Sequence, residues 1–288
     1  MVKLQPSKLA MRVRFPLPAP ASRLPAALLL AFLAIALTGK ATAQNTAPPL
    51  CSDRPGLNTP PCVVGKGTVQ VELGFADWTL DRSAERRTDS FVFGDALLRY
   101  GLTPNIELRA GWQAFLTERT RDRTSGMVDR QSGVGDVTLS AKVNLAADGS
   151  GPIAVLPYVT LPTAGNGLGA GTWETGLLVP ISIDASDTVS LLATPQIAAA
   201  ADADGSGRHV AWGTSAGIGL ALTDRIAGSL ETQFVRDEDP TGTRTQAVAG
   251  AFLGYQPDAD SQFDIGAQFG LNADSPDVEM YFGVTRRF

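Results

Sequence analysis

From about residue 68 to its end this chain repeats one pattern, short segments in which apolar and polar side chains alternate and the charges keep to one parity. The last segment, 278–288, shows it plainly. Val278, Met280, Phe282, Val284 and Phe288 share one face, and Glu279, Tyr281, Gly283 and Thr285 the other, the period of two expected of a strand between unlike surroundings. Elsewhere Glu72, Asp95, Arg99, Glu107, Arg109, Asp136, Lys142, Glu174, Glu231 and Asp264 also fall on the polar faces. A lipid-facing Arg or Lys at mid-depth costs about 2 to 4 kcal/mol, so a bilayer outside and water inside would impose this sorting.

The alternation predicts strands at 68–78, 90–101, 106–116, 134–145, 153–161, 172–183, 188–200, 210–222, 226–235, 246–255, 262–271 and 278–288. An even count of strands about nine to eleven residues long fits an all-β, transmembrane, antiparallel up-and-down barrel of about 12 strands in the bacterial outer membrane. Longer connectors, such as 81–89 and 118–133, alternate with mostly shorter ones, such as 102–105 and 223–225, which places both ends of the barrel in the periplasm. The stretch 118–133 reads as the longest loop. Segment 90–101 is ambiguous, because Phe91 and Phe93 share a parity with Asp95 and Arg99. Pro157, Pro180 and Pro195 each remove a ladder hydrogen bond, so bulges or kinks are expected there. A soluble β-sandwich also alternates and is the competing architecture.

Three units follow. Residues 1–43 read as a signal peptide: Lys3, Lys8, Arg12, Arg14 and Arg23, then the apolar run 26–37, then Ala41-Thr42-Ala43 as a cleavage site. The long basic part leaves Met11 as an alternative start. Residues 44–67 form a Pro-rich periplasmic N-terminal segment, and 68–288 the barrel. Losing 1–43 leaves 18 Lys+Arg against 29 Asp+Glu, near −11, which argues against nucleic acid as a partner. Cys51 and Cys62 are the only cysteines, and export puts them where thiols oxidise, so a disulfide is expected. Closing that short loop would be worth about 3 kcal/mol in the chain-entropy model. Two cysteines and one histidine cannot make a four-ligand zinc site, and no cofactor is expected.

Tyr100-Gly101-Leu102-Thr103-Pro104-Asn105-Ile106-Glu107-Leu108, then Gly133-Val134-Gly135-Asp136-Val137-Thr138-Leu139 leading to Lys142, then Leu161-Pro162-Thr163 before a Gly-rich loop, resemble the phenol-degradation MetA-pathway family of outer-membrane transporters over roughly residues 68–288. The resemblance implies a barrel associated with uptake of small, often aromatic, compounds. The terminal Phe288 resembles the end of bacterial outer-membrane proteins, where it addresses the chain to the assembly machinery. Arg286 departs from that pattern, since an apolar residue is commoner there.

These readings favour an outer-membrane channel or transporter for small solutes. Arg99, Glu107, Arg109, Asp136, Lys142 and Glu174 would line its lumen. Turn geometry at Pro104 gathers Glu107 among Arg99, Arg109 and Lys142, with a local excess of positive charge that could select anions. For any one of these charges a wall salt bridge is the plainer role. Expected partners are outer-membrane lipid and lipopolysaccharide, the barrel assembly machinery and a small-molecule solute. One alternative is a membrane-embedded hydrolase similar to the twelve-stranded outer-membrane phospholipases, for which His209 is the sole histidine; a structural or adhesive barrel is another. The Gly-rich 165–171 lacks the Lys-Ser/Thr of a phosphate loop. Asp202-Ala-Asp204-Gly205 and Asp258-Ala-Asp260 lack the trailing Glu of a calcium loop and read as turns.

Overall fold

The computed structural model describes residues 49–165, 168–205 and 207–288. The expected signal peptide lies outside these residues. The described chain is built of strands: β1 (Val69–Arg82), β2 (Arg86–Thr103), β3 (Ile106–Asp122), β4 (Val128–Gly133), β5 (Val137–Asn144), β6 (Ala154–Leu161) and β7 (Glu174–Leu178). Then follow β8 (Ile181–Ser186), β9 (Val189–Ala201), β10 (Arg208–Ala221), β11 (Ile226–Asp237), β12 (Arg244–Asp258), β13 (Ser261–Gly270) and β14 (Val278–Arg287). Each pairs antiparallel with its neighbour, β14 pairs with β1, and β9 pairs with β10, so the sheet closes on itself. β4 and β5 lie in succession beside β3, and β7 and β8 are two halves of one stave, which makes a twelve-stave barrel.

Burial is inverted relative to a water-soluble protein. Arg99, Glu107 and Lys142 are fully buried, whereas Leu98, Tyr100, Leu108, Leu139, Ile197, Leu230, Leu253, Ile265, Met280 and Phe282 are exposed. Charges inside and an apolar belt outside are what lipid requires of a barrel wall, and closure leaves no unpaired strand edge in the hydrocarbon.

Two predicted loops are strands instead. Residues 117–121 pair with 128–132, so the 118–133 stretch is a protruding hairpin, and β1 and β2 pair out to Arg82 and Arg87. Their charge-rich sequence hid them, because beyond the bilayer neither face needs to be apolar. Pro180 parts β7 from β8, while Pro157 and Pro195 stay inside β6 and β9. The backbone around Pro180 remains satisfied, with Val179 N–H donating to the Pro195 carbonyl and Ala154 N–H to the Pro180 carbonyl, each at 2.9 Å.

The ambiguity in the second strand has a structural cause. Asp95 pairs with Gly74 and Gln113, but Val92 pairs with Asp77 and Leu116. Below this level the inward residues of β2 and β3 are odd-numbered; above it, Leu116 is buried and Phe91, Phe93 and Phe115 are exposed. Gly94, at φ +70°, sits at the switch and supplies a backbone turn that side-chain-bearing residues rarely adopt. Leu116, which unbroken alternation from Ile106 would put on the outer face, is therefore buried.

Candidate functional site

The lumen holds residues 51–64, the stretch that precedes the first strand. The sequence set residues 44–67 apart from the strands; of these, residues 51–64 hydrogen-bond to the inner wall, with Val63 near the short turn at Pro104. Cys51 and Cys62 are joined by a disulfide with Cα atoms 6.0 Å apart, which ties the segment into a loop. Its prolines leave carbonyls and few N–H groups, and the wall supplies matching donors. Lys142 Nζ donates to the Pro60 carbonyl at 2.9 Å and Asn144 Nδ2 to the Pro61 carbonyl at 3.0 Å. Where the segment does present N–H groups, the wall offers carboxylates. Glu231 accepts from Leu57 N at 2.6 Å and from Asn58 N at 2.7 Å, Glu72 from Asp53 N at 3.1 Å, and Glu107 from Val64 N at 2.7 Å. Gly101 lets the segment pass close, since a Cβ there would lie 2.0 Å from the Gly65 carbonyl oxygen.

One ionic cluster dominates the contact. Arg99 reaches Glu72 at 2.7 Å, Glu107 at 2.9 Å and Asp53 at 3.2 Å; Lys142 reaches Asp53 at 2.9 Å; and Arg109 pairs with Asp53 and lies 3.7 Å from Glu107. The strand pairs Arg99↔Arg109 and Glu107↔Lys142 bring these groups to one level. Glu107 thus does sit among three cations. The surplus positive charge expected from the wall is absent, because Glu72 and Asp53 raise the anions to three. Like charges facing each other on the wall are held together by a carboxylate that arrives from the segment.

Burial alone would push the Asp53 carboxyl up, but Arg109, Lys142 and Arg99 outweigh it and hold the group well below the usual carboxylate range. A depressed folded value means that Asp53 contributes fully to seating above its ordinary value of 3.8 and loses that contribution only as pH falls through the depressed one. Protease cleavage within 49–67 of folded protein should therefore be equally slow at neutral pH and at about pH 5. Release of the segment by pH 5 would contradict this assignment.

Above the segment an open cavity of about 270 Å³ remains, lined by Asp77, Asp95, Glu279 and Tyr281 from the wall and by Arg54 and Gly56 from the segment. Asp136 and Glu174 lie apart from the ionic cluster. Asp136 accepts from Ala164 N at 2.7 Å and Ala170 N at 2.8 Å, and Glu174 accepts from Ala201 N at 2.7 Å. His209 is buried between Asp202, 2.8 Å from Nδ1, and Asp237, 2.6 Å from Nε2, pinning the loop before β10 to β11. Phe288 is exposed and its N–H donates to the Val69 carbonyl at 2.8 Å, closing the seam between the first and last strands. Sequence reasoning missed Asp53, Arg54, Glu231 and Asp264 as contact residues. The available signal was an Asp-Arg pair inside an otherwise Pro-rich stretch, together with buried charges left over on the opposite wall.

A closed, twelve-stave antiparallel barrel with an apolar outer belt, a charged inner wall and an internal plug is an outer-membrane β-barrel. The chain belongs to the family described as "Putative MetA-pathway of phenol degradation", whose sequence model matches residues 52–288. The match begins within the plug, so the inner segment is part of the family's domain. Among solved structures, an outer-membrane channel from Pseudomonas putida F1 is similar at TM-score 0.63 and 16% identity, over 79% of this chain and 97% of that one. The CymD monoaromatic hydrocarbon channel aligns at TM-score 0.45 and 10% identity, over 77% of this chain and 89% of that one. The β domain of the Bordetella autotransporter BrkA aligns at 0.49 and 11%, over 78% and 100%. No curated protein sequence matches the chain significantly.

Proposed function

We propose that the protein is a channel for small solutes across the outer membrane, and that residues 49–67 are its gate. The observation that carries this reading is the chemistry of the obstruction. The inner segment is held by hydrogen bonds and ion pairs to the wall, which water can replace as the segment moves, whereas an apolar plug would be held as a permanent core is. A wall whose only task was to support a fixed plug would have no need of the cavity above it. The fold shared with a protein described as an outer-membrane channel and the family's link to phenol degradation agree with this reading, and they make small aromatic compounds the first solutes to try. His209 is held on both ring nitrogens by aspartates, the arrangement of a loop pin, which favours transport over the hydrolase alternative.

The test is planar-bilayer recording of purified protein whose closed barrel is verified by heat-dependent gel migration. Brief, voltage-sensitive openings over a mostly closed baseline are expected. A correctly folded protein that never conducts, with its segment present or removed, would overturn the reading.

A further inference from the structure

We propose that the outward face of β1 to β4, just above the lipid-facing band, is a binding site for the phosphates of lipopolysaccharide, the phosphorylated glycolipid of the outer leaflet. The site is placed by where the apolar band stops. Tyr100 and Phe91, both exposed, lie nine residues apart on β2, about 24 Å of height at a strand tilt of about 40°, which matches a lipid-facing band of about 25 Å. Phe91, Phe93 and Phe115 cap the band, with ring centres 6.2 and 6.3 Å apart, as an aromatic girdle does at a membrane surface. The next outward side chains on this face therefore stand among headgroups, at the end of the barrel opposite the short turns, which the connector lengths assign to the cell exterior. Most of them are arginines. Arg82 pairs across the ladder with Arg87, Arg87 with Arg121, and Arg119 with Arg130, while Asp89 pairs with Arg119. Directly opposed residues share a face, so five arginines from four neighbouring strands stand together.

Three of these pairs set like charges directly across the ladder, which costs stability unless an anion lies between them. The carboxylates of the same hairpins do not supply it. Glu118, Asp122 and Asp129 have the opposite parity and face the other way, Asp89 is held by Arg87 at 2.8 Å, and Asp277 lies 3.3 Å from Arg82. Among the described residues the side chains of Arg119, Arg121 and Arg130 make no hydrogen bond or ion pair, and Arg119 acts on Asp89 only at longer range. Water alone would neither sort charge by face in this way nor require arginine at all five positions. A guanidinium grips a phosphate through two parallel N–H bonds, which an ammonium cannot do. With strands about 4.8 Å apart, the row from Arg82 to Arg121 spans about 10 Å, wider than the single phosphate of a phospholipid, and Arg119 and Arg130 form a second row beneath it. A headgroup carrying several phosphates satisfies both rows. The surface lies on the outside of the wall, so the proposal stands apart from what the pore conducts.

The experiment adds three lipids singly to the folded barrel in neutral detergent: bisphosphorylated lipid A, the same glycolipid stripped of its phosphates, and phosphatidylglycerol. Native mass spectrometry reads the fraction of barrel that retains each. The proteins are wild type, Arg119→Gln/Arg121→Gln/Arg130→Gln, and Arg236→Gln, a control at an exposed arginine that already lies 3.4 Å from Glu238. Wild type and the control should bind lipid A at least about tenfold more tightly than either other lipid, a difference of roughly 1.4 kcal/mol, and the triple variant should lose that preference. Lipid A should also raise the temperature at which the folded gel band of wild type converts, and leave that of the triple variant unmoved. Without lipid the triple variant should convert no lower than wild type, because it only relieves opposed like charges. Equal retention of the phosphorylated and stripped glycolipids, equal retention of phosphatidylglycerol, or undiminished binding by the triple variant would overturn the proposal. So would a triple variant that is less heat-stable without lipid, since its arginines would then be satisfied within the protein.

Discussion

Deleting residues 49–64 is expected to turn a mostly closed barrel into one that conducts continuously. Taking an open fraction from roughly 1:99 to 99:1 requires about 5.5 kcal/mol. The contacts that would vanish reach that scale. Asp53 pairs with Arg109, Lys142 and Arg99, Arg54 with Asp264, and Glu231 accepts three hydrogen bonds from Leu57 and Asn58, all of them charge-assisted. Deletion also leaves Arg99, Arg109 and Lys142 facing Glu72 and Glu107 alone in a lumen open to water. It equally bares Asp264 and Glu231, which lose Arg54 and the Leu57 and Asn58 N–H groups, so current through the deleted barrel should shift toward cations compared with the brief openings of the intact protein. Single-channel recording with a salt gradient checks both statements. A deletion variant that migrates as a folded barrel yet stays closed would show that another part of the chain blocks the pore.

Glu107→Ala should have the largest effect of any single wall substitution on stability. Glu107 accepts from Arg99 Nε and Nη2, each at 2.9 Å, accepts from Val64 N at 2.7 Å, and lies 3.7 Å from both Lys142 Nζ and Arg109 Nε. It is fully buried, as are Arg99 and Lys142. Removing one carboxylate from such a group leaves cations facing each other in a poorly hydrated place, and breaking buried pairs in this way typically costs about 3 to 5 kcal/mol. The temperature at which the folded band converts to the unfolded one should drop clearly. Glu107→Gln, which keeps the size and one acceptor, should fall between the two. No change in that temperature for Glu107→Ala would mean that water enters the cluster freely and the pairs are screened.

The deletion and the Glu107 substitution report on different things. Loss of the segment moves the gate while the wall remains closed by strand pairing. Loss of Glu107 weakens wall and gate together, because Glu107 binds β2, β3 and Val64 at once. Comparing conductance with heat stability in both variants therefore separates gating from folding.

The barrel was legible in the alternation because a bilayer imposes a simple rule at each position. A residue on one parity meets lipid, its neighbour meets the interior, and misplacing a charge is costly enough that the pattern survives over twelve staves. The rule held for Leu98 against Arg99 and for Met280 against Tyr281. It failed above Gly94, where a backbone turn exchanged the two faces, and in the hairpin around 117–133, which stands where lipid no longer sorts its side chains. The likeness of three turn-centred motifs to a known family was also visible from the residues.

The place of residues 51–64 inside the barrel follows from the fold alone. Nothing in the spacing of Cys51, Asp53, Arg54 and Cys62 says that they lie against Glu72, Arg99, Lys142 and Asp264, since those contacts join positions up to 210 residues apart. Alternation specifies which wall residues face inward but not what they face, because water, a solute and a folded-in segment all satisfy an inward charge. The stave pattern and the charged inner wall follow from the alternation of side chains. Closure of the ring brought Arg99, Arg109 and Lys142 to one level, and that three-dimensional surplus of cations is what gives Asp53 its place in the lumen.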